Sequence, residues 1–495
     1  MSDRFLSIAQ IRHIETDAIT KHQLNLMDQA GSSVADWVKN NIDKTKKILV
    51  LIGRGNNGGD GVIAAIKLKH YGFDVTIFTV ATQLNPTTEN LIIKFSKLNG
   101  NQINKLPAKL DNFDIIIDAM LGIGIGRRVD DKLNQIIELV NQSKKFVLAV
   151  DTPTGLDPFS GEVYGNALKA DCTITFISDK PGFYTGAGVD LVGKVIVENL
   201  VNLDDYTLSR TSSAKILPND LTSINYSCLA RKLNDTNKGS FGTVAIVGGN
   251  VGMHGALYLA GRAAMLLGSG KVVLASLDEN FATDILMPEL MQARPKDVLK
   301  NLNEYSVIVV GPGFGRDERA LKFLTKLINM KPEAKLIFDA DALNLISENM
   351  SLHQGFKTIM NKIITPHPGE AGRLLKISTT AVSQNRIKAI NNLKAQYNAV
   401  TLLKGAGSLI EDNDFIYVNM TGNSALSGAG QGDTLCGIVA AFVAQGLKLS
   451  DALRFGVYLH GKAAESLAIS IGYNGVLATE IALTARNLLN QRLYT

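Results

Sequence analysis

Leu51-Ile52-Gly53-Arg54-Gly55-Asn56-Asn57-Gly58-Gly59-Asp60-Gly61 leaves an apolar run, Lys47 to Ile52, and enters a helical pattern carrying Val62, Ala65, Ile66 and Leu68. Strand, glycine-rich turn and helix is a geometry in which backbone N–H groups at a helix start can face a phosphate. Gly53, Gly55 and Gly58 also satisfy G-x-G-x-x-G. Three glycines are a weak signal, so the surrounding chain decides what the turn does.

Upstream, Ile8, Ile11, Ile14 and Ala18 recur at helical spacing, as do Met27, Ala30, Val34, Trp37 and Val38. These predict two helices that pack on the sheet or on a partner subunit. Downstream, apolar runs at Val75 to Val80, Ile115 to Ile117 and Phe146 to Val150 alternate with helical patterns around Leu91 and around Leu133, Ile136, Ile137 and Val140. That alternation predicts an α/β domain with a parallel sheet between helices. The runs Cys172 to Ile177 and Lys194 to Val197 can extend it.

The 495 residues exceed one ordinary core, and about 150 residues per domain suggests two to four units. A hydrophobic content of 45% with 20% charged residues fits a soluble globular chain. The net charge of +5 is spread out with no long basic block, which disfavours nucleic acid and suits phosphorylated small molecules. Cys172, Cys228 and Cys436 are far apart and odd in number, so they read as core thiols in a reducing compartment. Met1 to Phe5 lack the pattern of a signal peptide, and no apolar run approaches the roughly 20 residues of a spanning helix. A cytoplasmic protein without membrane partners is expected.

Polar residues gather where the strands should end. Asp118 is followed by Gly122, Gly124 and Gly126, and Asp151 by Thr152-Pro153-Thr154-Gly155-Leu156-Asp157. In open α/β sheets the ligand crevice lies outside the carboxyl ends of the strands. Singly, each aspartate can be a turn cap; three such loops at one edge point to a site. A hydride-transfer fold would carry an acid about 20 residues after the glycines, for the ribose hydroxyls. Here that strand ends Val80-Ala81-Thr82-Gln83, without one. Asn57, the Asp118 carboxylate and the Thr154 hydroxyl instead offer an all-oxygen cage for a hard cation.

These three segments, Asn56 to Gly61, Asp118 to Gly124 and Val150 to Asp157, resemble the motifs of the NAD(P)H-hydrate epimerase domain, over roughly Met1 to Asp205. The resemblance implies substrate contacts from Asn56, Asn57, Gly58, Gly59 and Asp60, and from Gly122, Ile123, Gly124, Ile125, Gly126, Arg127 and Arg128. It implies that Asp151 binds the substrate beside its reacting carbon and that Asn57, Asp118 and Thr154 hold a potassium ion. Thr154 stands where the family usually has serine, which keeps the hydroxyl. A C6 hydroxyl beside the ring nitrogen can invert if that bond or the ring opens and recloses, which needs a carboxylate to move a proton. Asp151 is the residue chosen for it. Lys180 can support it electrostatically, although lysine is ordinarily solvated.

From Asn202 to about Asp235 the sequence turns polar, with Thr211-Ser212-Ser213 and Pro218-Asn219-Asp220. It predicts domains over 1–215 and 225–495. The second begins like the first: Thr243 to Val247, then Gly248-Gly249-Asn250 and a helix from Ala256. Apolar runs at Lys271 to Ala275, Val307 to Val310, Lys335 to Phe338, Lys362 to Ile364 and Val400 to Leu403 predict another layered α/β domain. Loops again mark their ends: Gly311 to Gly315, Asp339 to Asn344, Thr365 to Glu370 and Lys404 to Ser408. Ser427-Gly428-Ala429-Gly430-Gln431-Gly432-Asp433-Thr434 runs into an apolar helix, so its N–H groups can form an anion hole. Asp433 can take a proton from a hydroxyl attacking phosphorus.

This set resembles the ribokinase-like superfamily and, more closely, its NAD(P)H-hydrate dehydratase domain, over about Asp235 to Asn490. Two layered α/β domains are thus expected, a Rossmann-like one followed by a ribokinase-like one. The resemblance implies that Lys404, Gly405, Ala406, Gly407, Ser408 and Gly432 bind the adenine nucleotide, and that Ala256, Gly313, His367 and Asp433 contact the hydrate. Asp433 is the expected base, Gly428 to Gly432 the anion hole and Glu370 a magnesium contact through water. His367, between two prolines, can instead only shape its loop. The resulting expectation is a fused enzyme that interconverts the R and S hydrates of NADH or NADPH and dehydrates the S form with ADP, giving AMP and phosphate. Its partners are small molecules, and it is expected to form a homo-oligomer. The alternatives are a kinase of a vitamin-precursor alcohol with a nucleotide-sensing first domain, and a pair of non-catalytic binding modules.

Overall fold

The computed structural model describes residues 5–124, 126, 128–206, 216–412 and 414–494. The chain forms two compact units, Met1–Leu217 and Pro218–Thr495. The segment Thr211-Ser212-Ser213 and residues Met1 to Arg4 lie outside the described residues.

The first unit opens with α1 (Ile8–Thr20) and α2 (Leu26–Asn41), then β1 (Lys47–Ile52), α3 (Asn56–His70) and β2 (Asp74–Thr79). It continues with α4 (Pro86–Lys97), β3 (Asn101–Ile103), β4 (Ile115–Ala119), α5 (Asp131–Ser143) and β5 (Phe146–Val150). Then come β6 (Cys172–Phe176), α6 (Gly188–Leu191) and β7 (Lys194–Glu198). The seven strands lie in the order β3-β2-β1-β4-β5-β6-β7, and every pair is parallel.

Successive residues of β1 explain the layers. Ile48, Val50 and Ile52 pack with Val34 and Val38 of α2 and Val62 and Leu68 of α3. Leu49 and Leu51 point the other way, into Leu133, Ile136 and Ile137 of α5. A strand buried on both faces reads as a continuous apolar run. The first helices therefore cover the sheet of their own unit. β3 escapes the sequence reading because it is an edge strand of three residues with little burial.

The second unit contains β8 (Ile216–Pro218), β9 (Thr243–Gly248), α7 (His254–Leu266), β10 (Lys271–Ser276) and β11 (Met291–Ala293). After α8 (Pro295–Lys300) come β12 (Val307–Val310), α9 (Glu318–Met330), β13 (Lys335–Phe338), α10 (Ala340–Glu348) and α11 (Met350–Thr358). Then follow β14 (Lys362–Ile364), α12 (Pro368–Leu375), α13 (Thr379–Gln384), α14 (Arg386–Tyr397) and β15 (Val400–Leu403). β16 (Leu409–Glu411) and β17 (Ile416–Val418) precede α15 (Gln431–Ala444), α16 (Leu449–Ile471) and α17 (Ala478–Tyr494). The sheet order is β11-β10-β9-β12-β13-β14-β15-β16-β17-β8. From β9 to β15 it is parallel, and β16 and β17 turn antiparallel.

Both sheets reverse their winding beside their first long strand, between β1 and β4 and between β9 and β12. Crossovers leave such a point in opposite directions and open a crevice there. A glycine fits each crevice floor. A Cβ on Gly53 would lie 1.7 Å from the Met120 carbonyl oxygen, and one on Gly248 1.9 Å from that of Pro312. The two α/β layers expected from the sequence are present. Among the described residues, no helix is long and apolar enough to cross a membrane.

Candidate active sites

In the first unit the residues Asn56 to Gly61 belong to the opening turns of α3 rather than to a loop. Gly58 and Gly61 are buried there because backbone and side chains press on them: a Cβ would meet the Gly53 oxygen at 2.1 Å and the Ala119 Cβ at 2.4 Å. The helix start thus lies against the ends of β1 and β4.

Asp118, at the end of β4, is fully buried. It accepts hydrogen bonds from the Met120 N–H at 3.2 Å and from the Thr154 N–H and hydroxyl, each at 2.8 Å. The Thr154 hydroxyl in turn accepts the Leu121 N–H at 3.1 Å. Burial raises the Asp118 carboxyl to about 6, against the lowering effect of those bonds. Both polar atoms of the Asn57 side chain are buried without a hydrogen-bond partner. An unpaired buried amide is costly, about 1–3 kcal/mol, so this set fits an oxygen-seeking ion that the amide oxygen can ligate.

Asp151 stands at the end of β5 with φ +65°, a left-handed backbone that is rare outside glycine. Its Oδ1 accepts the Thr175 hydroxyl at 3.1 Å and lies 3.0 Å from the Lys180 ammonium; its Oδ2 accepts the Ile123 N–H at 3.3 Å. Lys180 is only 1% exposed and also donates to the Thr175 hydroxyl and the Phe176 carbonyl. The solvated reading of Lys180 is therefore wrong. Three residues before it, Ile177, a β-branched residue, is held at φ +70°. Such strain costs of order 1–3 kcal/mol and persists where surrounding structure enforces it.

These groups open on a cavity of about 360 Å³ that takes in Asn56, Asn57, Asp60, Gly122, Ile123, Gly124, Asp151 and Lys180. It also admits Arg12 and Glu15 of α1, with Arg54, none of which the motifs flagged. Gly58 and Gly59 lie behind it as packing residues, with the Met27 sulfur 2.6 Å from a Cβ on Gly59. Arg128 lines a different depression with Asp131 and Gly165. Gly126 has open space around it, and Ile125 and Arg127 lie outside the described residues.

In the second unit, Gly432 and Asp433 fall inside the first turn of α15, one turn earlier than the apolar pattern suggests. Gly430 caps the helix at φ +80°. The first N–H groups of a helix have no partner within it, and no side chain caps these, which is the kind of end that can receive an anion. Asp433 is raised to about 7, first by burial and then by Asp339, with Lys404 opposing.

Lys404, leaving β15, donates to Asp339 at 2.6 Å and lies 3.9 Å from Glu370. A Cβ on Gly432 would lie 3.5 Å from its Nζ, so the nucleotide set is partly assembled around one ammonium. Asp339 is buried after β13, where Ala340 takes φ +47°, and also accepts the Cys436 thiol at 3.1 Å. The Lys404 to Ser408 loop is pinned from beneath by Arg386, which donates to the Leu403 carbonyl at 3.1 Å, that of Lys404 at 3.3 Å and that of Gly407 at 3.4 Å. Burial lowers Arg386 to about 10.

His367 does shape its loop: its Nδ1 accepts the Gly369 N–H at 3.0 Å and caps α12, while Glu370 accepts the His367 N–H at 2.9 Å. Gly313 and Ala256 are neighbours, with 3.2 Å between the Ala256 Cβ and a Cβ on Gly313. Of the cysteines, Cys172 and Cys436 are buried but Cys228 is exposed, against the core-thiol expectation. The sequence marks Asp339 as the start of a strand-end loop without giving it a role, and Arg386 escaped the reading because it looks like a surface residue opening a helix.

Residues 244–487 match the family model described as NAD(P)H-hydrate dehydratase, and residues 23–182 the model described as YjeF-related protein N-terminus. A relative from Coxiella burnetii, named bifunctional NAD(P)H-hydrate repair enzyme Nnr, is 35% identical and spans 97% of this chain and 98% of its own length. One of the same name from Escherichia coli K12 is 33% identical over 94% of this chain and 89% of its own. A solved ADP/ATP-dependent NAD(P)H-hydrate dehydratase from Bacillus subtilis, co-crystallized with ATP/Mg2+, is 27% identical, covers 52% of this chain and 93% of that one, and superposes with a TM-score of 0.45. With that identity to relatives over nearly its whole length, the chain belongs to the family of bifunctional NAD(P)H-hydrate repair enzymes.

Proposed function

We infer that the two units divide the repair of hydrated NADH and NADPH between them. The unit Met1–Leu217 interconverts the R and S hydrates, and Pro218–Thr495 dehydrates the S form at the expense of ADP, yielding AMP and phosphate. The observation that carries this division is that Asp151 and Asp433 belong to separate units, Asp151 paired with Lys180 after β5 and Asp433 in the first turn of α15 near Asp339 and Lys404.

In the first unit, Asn56, Asp60 and Gly122 to Gly124 hold the hydrate, and Asp151 moves the proton. Lys180 fixes the orientation of that carboxylate. Asn57, Asp118 and Thr154 hold a potassium ion, a role supported by the unpaired Asn57 amide and the all-oxygen donor set. Such an ion would supply fixed positive charge to the site.

In the second unit a poor leaving group is made a good one. Asp433 takes the proton of the C6 hydroxyl as its oxygen attacks the terminal phosphorus of ADP, and the α15 N–H groups receive the transferring phosphoryl. The ring nitrogen then pushes phosphate out as an N1=C6 iminium forms, and the C5–C6 double bond returns as a C5 proton passes to water and the π pair returns to N1. Lys404 to Ser408 and Gly432 take the nucleotide; Ala256, Gly313 and His367 border the hydrate. Magnesium would arrive with the nucleotide and neutralise phosphate charge. Glu370 fits it only through water, because its oxygens already serve His367.

Racemic NADH hydrate mixed with ADP, magnesium and the protein tests both activities by absorbance of the reduced nicotinamide. Complete recovery with release of inorganic phosphate is expected. Recovery stopping at the S half would refute epimerisation, and a stable phosphoester would refute dehydration.

A further inference from the structure

Inversion through loss and return of the C6 oxygen needs proton traffic at both faces of the ring. Asp151 cannot serve both. Its carboxylate is fixed to one wall of the cavity by Lys180, Thr175 and the Ile123 N–H. A second proton carrier must come from another wall.

α1 supplies that wall. Its register is set by the buried Ile11, Ile14 and Ala18 and by a capping box between Ser7 and Gln10. The Leu6 N–H ties its entry to the Ser178 hydroxyl, two residues before Lys180. Arg12 and Glu15, three residues apart and so on one helix face, are thereby brought to the same cavity as Asp151 and Lys180. Among the described residues, the Glu15 carboxyl takes part in no hydrogen bond that would commit it elsewhere. Its carboxyl is raised above the usual glutamate range by burial and then by Asp151, with Lys180 and Arg12 opposing. Asp60, deeper in the cavity, is raised further for the same reasons, by burial, Asp151 and Glu15. Three carboxyls share the cavity, and burial with mutual repulsion favours the protonated form of the two that the Lys180 ammonium does not pair.

We propose that Glu15 is the second catalytic carboxyl of the epimerase, giving the C6 hydroxyl the proton with which it leaves as water, while Asp151 serves the opposite face. This rests on Asp151 as the first proton carrier. The Glu15 O–H bond breaks and its proton passes to the hydroxyl oxygen. The C6–O bond then breaks with its electron pair going to water, and the N1 lone pair closes an N1=C6 iminium. Water attacks C6 from the other face, its surplus proton goes to Asp151, and the π pair returns to N1. One proton has moved from Glu15 to Asp151, and a turnover in the reverse sense, or exchange with solvent, restores it. Two carboxyls of opposite protonation suit a reaction that must run in both directions.

The test uses the full chain with isolated R hydrate in 18O-labelled water without ADP, followed by chiral chromatography and mass spectrometry. Glu15→Gln is expected to lower the epimerisation kcat at least 100-fold with KM within threefold. Wild-type protein is expected to place 18O at C6 at the rate of inversion. Glu15→Asp, checked by its unchanged KM, serves if the glutamine variant does not fold, and its kcat should fall about tenfold. Glu15→Gln or Glu15→Asp at wild-type kcat, or inversion without 18O, would overturn the proposal. Asp151→Asn run in parallel separates the two assignments: its full activity beside an inactive Glu15→Gln would reject Asp151 and retain Glu15.

Discussion

Asp151 stands on a left-handed backbone at a strand end and is gripped by a buried lysine, whereas Asp433 rides on the first turn of a helix while Lys404 is held by Asp339. One carboxylate is governed by a counter-charge, the other by burial among further acids. The contrast matches the chemistry. A reversible inversion needs a carboxylate held in one place while it takes and returns a proton, so that both directions use the same geometry. A one-way phosphoryl transfer needs a base strong enough to take a hydroxyl proton, which a carboxyl near 7 supplies better than an ordinary one. Two superficially alike glycine turns thus serve different electrostatic designs.

The contrast breaks most visibly at Asp433. Asp433→Asn should lower dehydration of S hydrate by about 10²–10⁴-fold and leave R–S interconversion unchanged; a parallel loss of epimerisation would mean the sites are not separate. Removing a counter-charge is the next largest test. Lys180→Met strands Asp151, and Lys404→Met strands Asp339, so each should destabilise its own unit by about 3–5 kcal/mol in urea unfolding. Lys180→Met should in addition slow epimerisation, whereas a midpoint unchanged in both variants would remove the ion pairs from the argument.

The pH dependence sharpens the same point. Asp433 must be ionised to act, and its carboxyl is raised to about 7, so dehydration kcat should rise with pH up to that value and fall about tenfold per unit below it. A flat profile from pH 5.5 to 8 would refute burial as the controlling feature. The smallest effect belongs to Thr154→Ser, which keeps the hydroxyl: epimerisation should stay within threefold, while Thr154→Val should lose any stimulation by potassium. Equal behaviour of the two variants would remove Thr154 from the ion site.

Much of this was legible because parallel strands buried on both faces announce themselves. Ile48 to Ile52 and Val307 to Val310 read as strands, and the aspartates and glycines after them as crevice residues. Three kinds of feature were not legible. Short edges such as β3 bury too little to leave a pattern. Helix starts at Asn56 and Gln431 were hidden because glycines there mimic a loop while close packing makes them helical. Partners from distant sequence, Glu15 for Asp151 and Arg386 beneath Lys404, carry no local signature, since charge alone reads as surface; Lys180 was legible as a support for Asp151, but its burial was not.

The wedges at Gly53 and Gly248 bear on how mutational scans of this chain should be interpreted. Alanine at either position collides with backbone that no side-chain movement can relieve, so loss of function there reports a broken scaffold. Gly55 and Gly124 border the same cavity with nothing within 4 Å of a Cβ. Tolerance of alanine in the folded protein, coupled with weakened affinity for the hydrate, would mark these two as positions where the ligand itself occupies the space. Glycines in one motif therefore divide into those that the chain needs and those that its substrate needs.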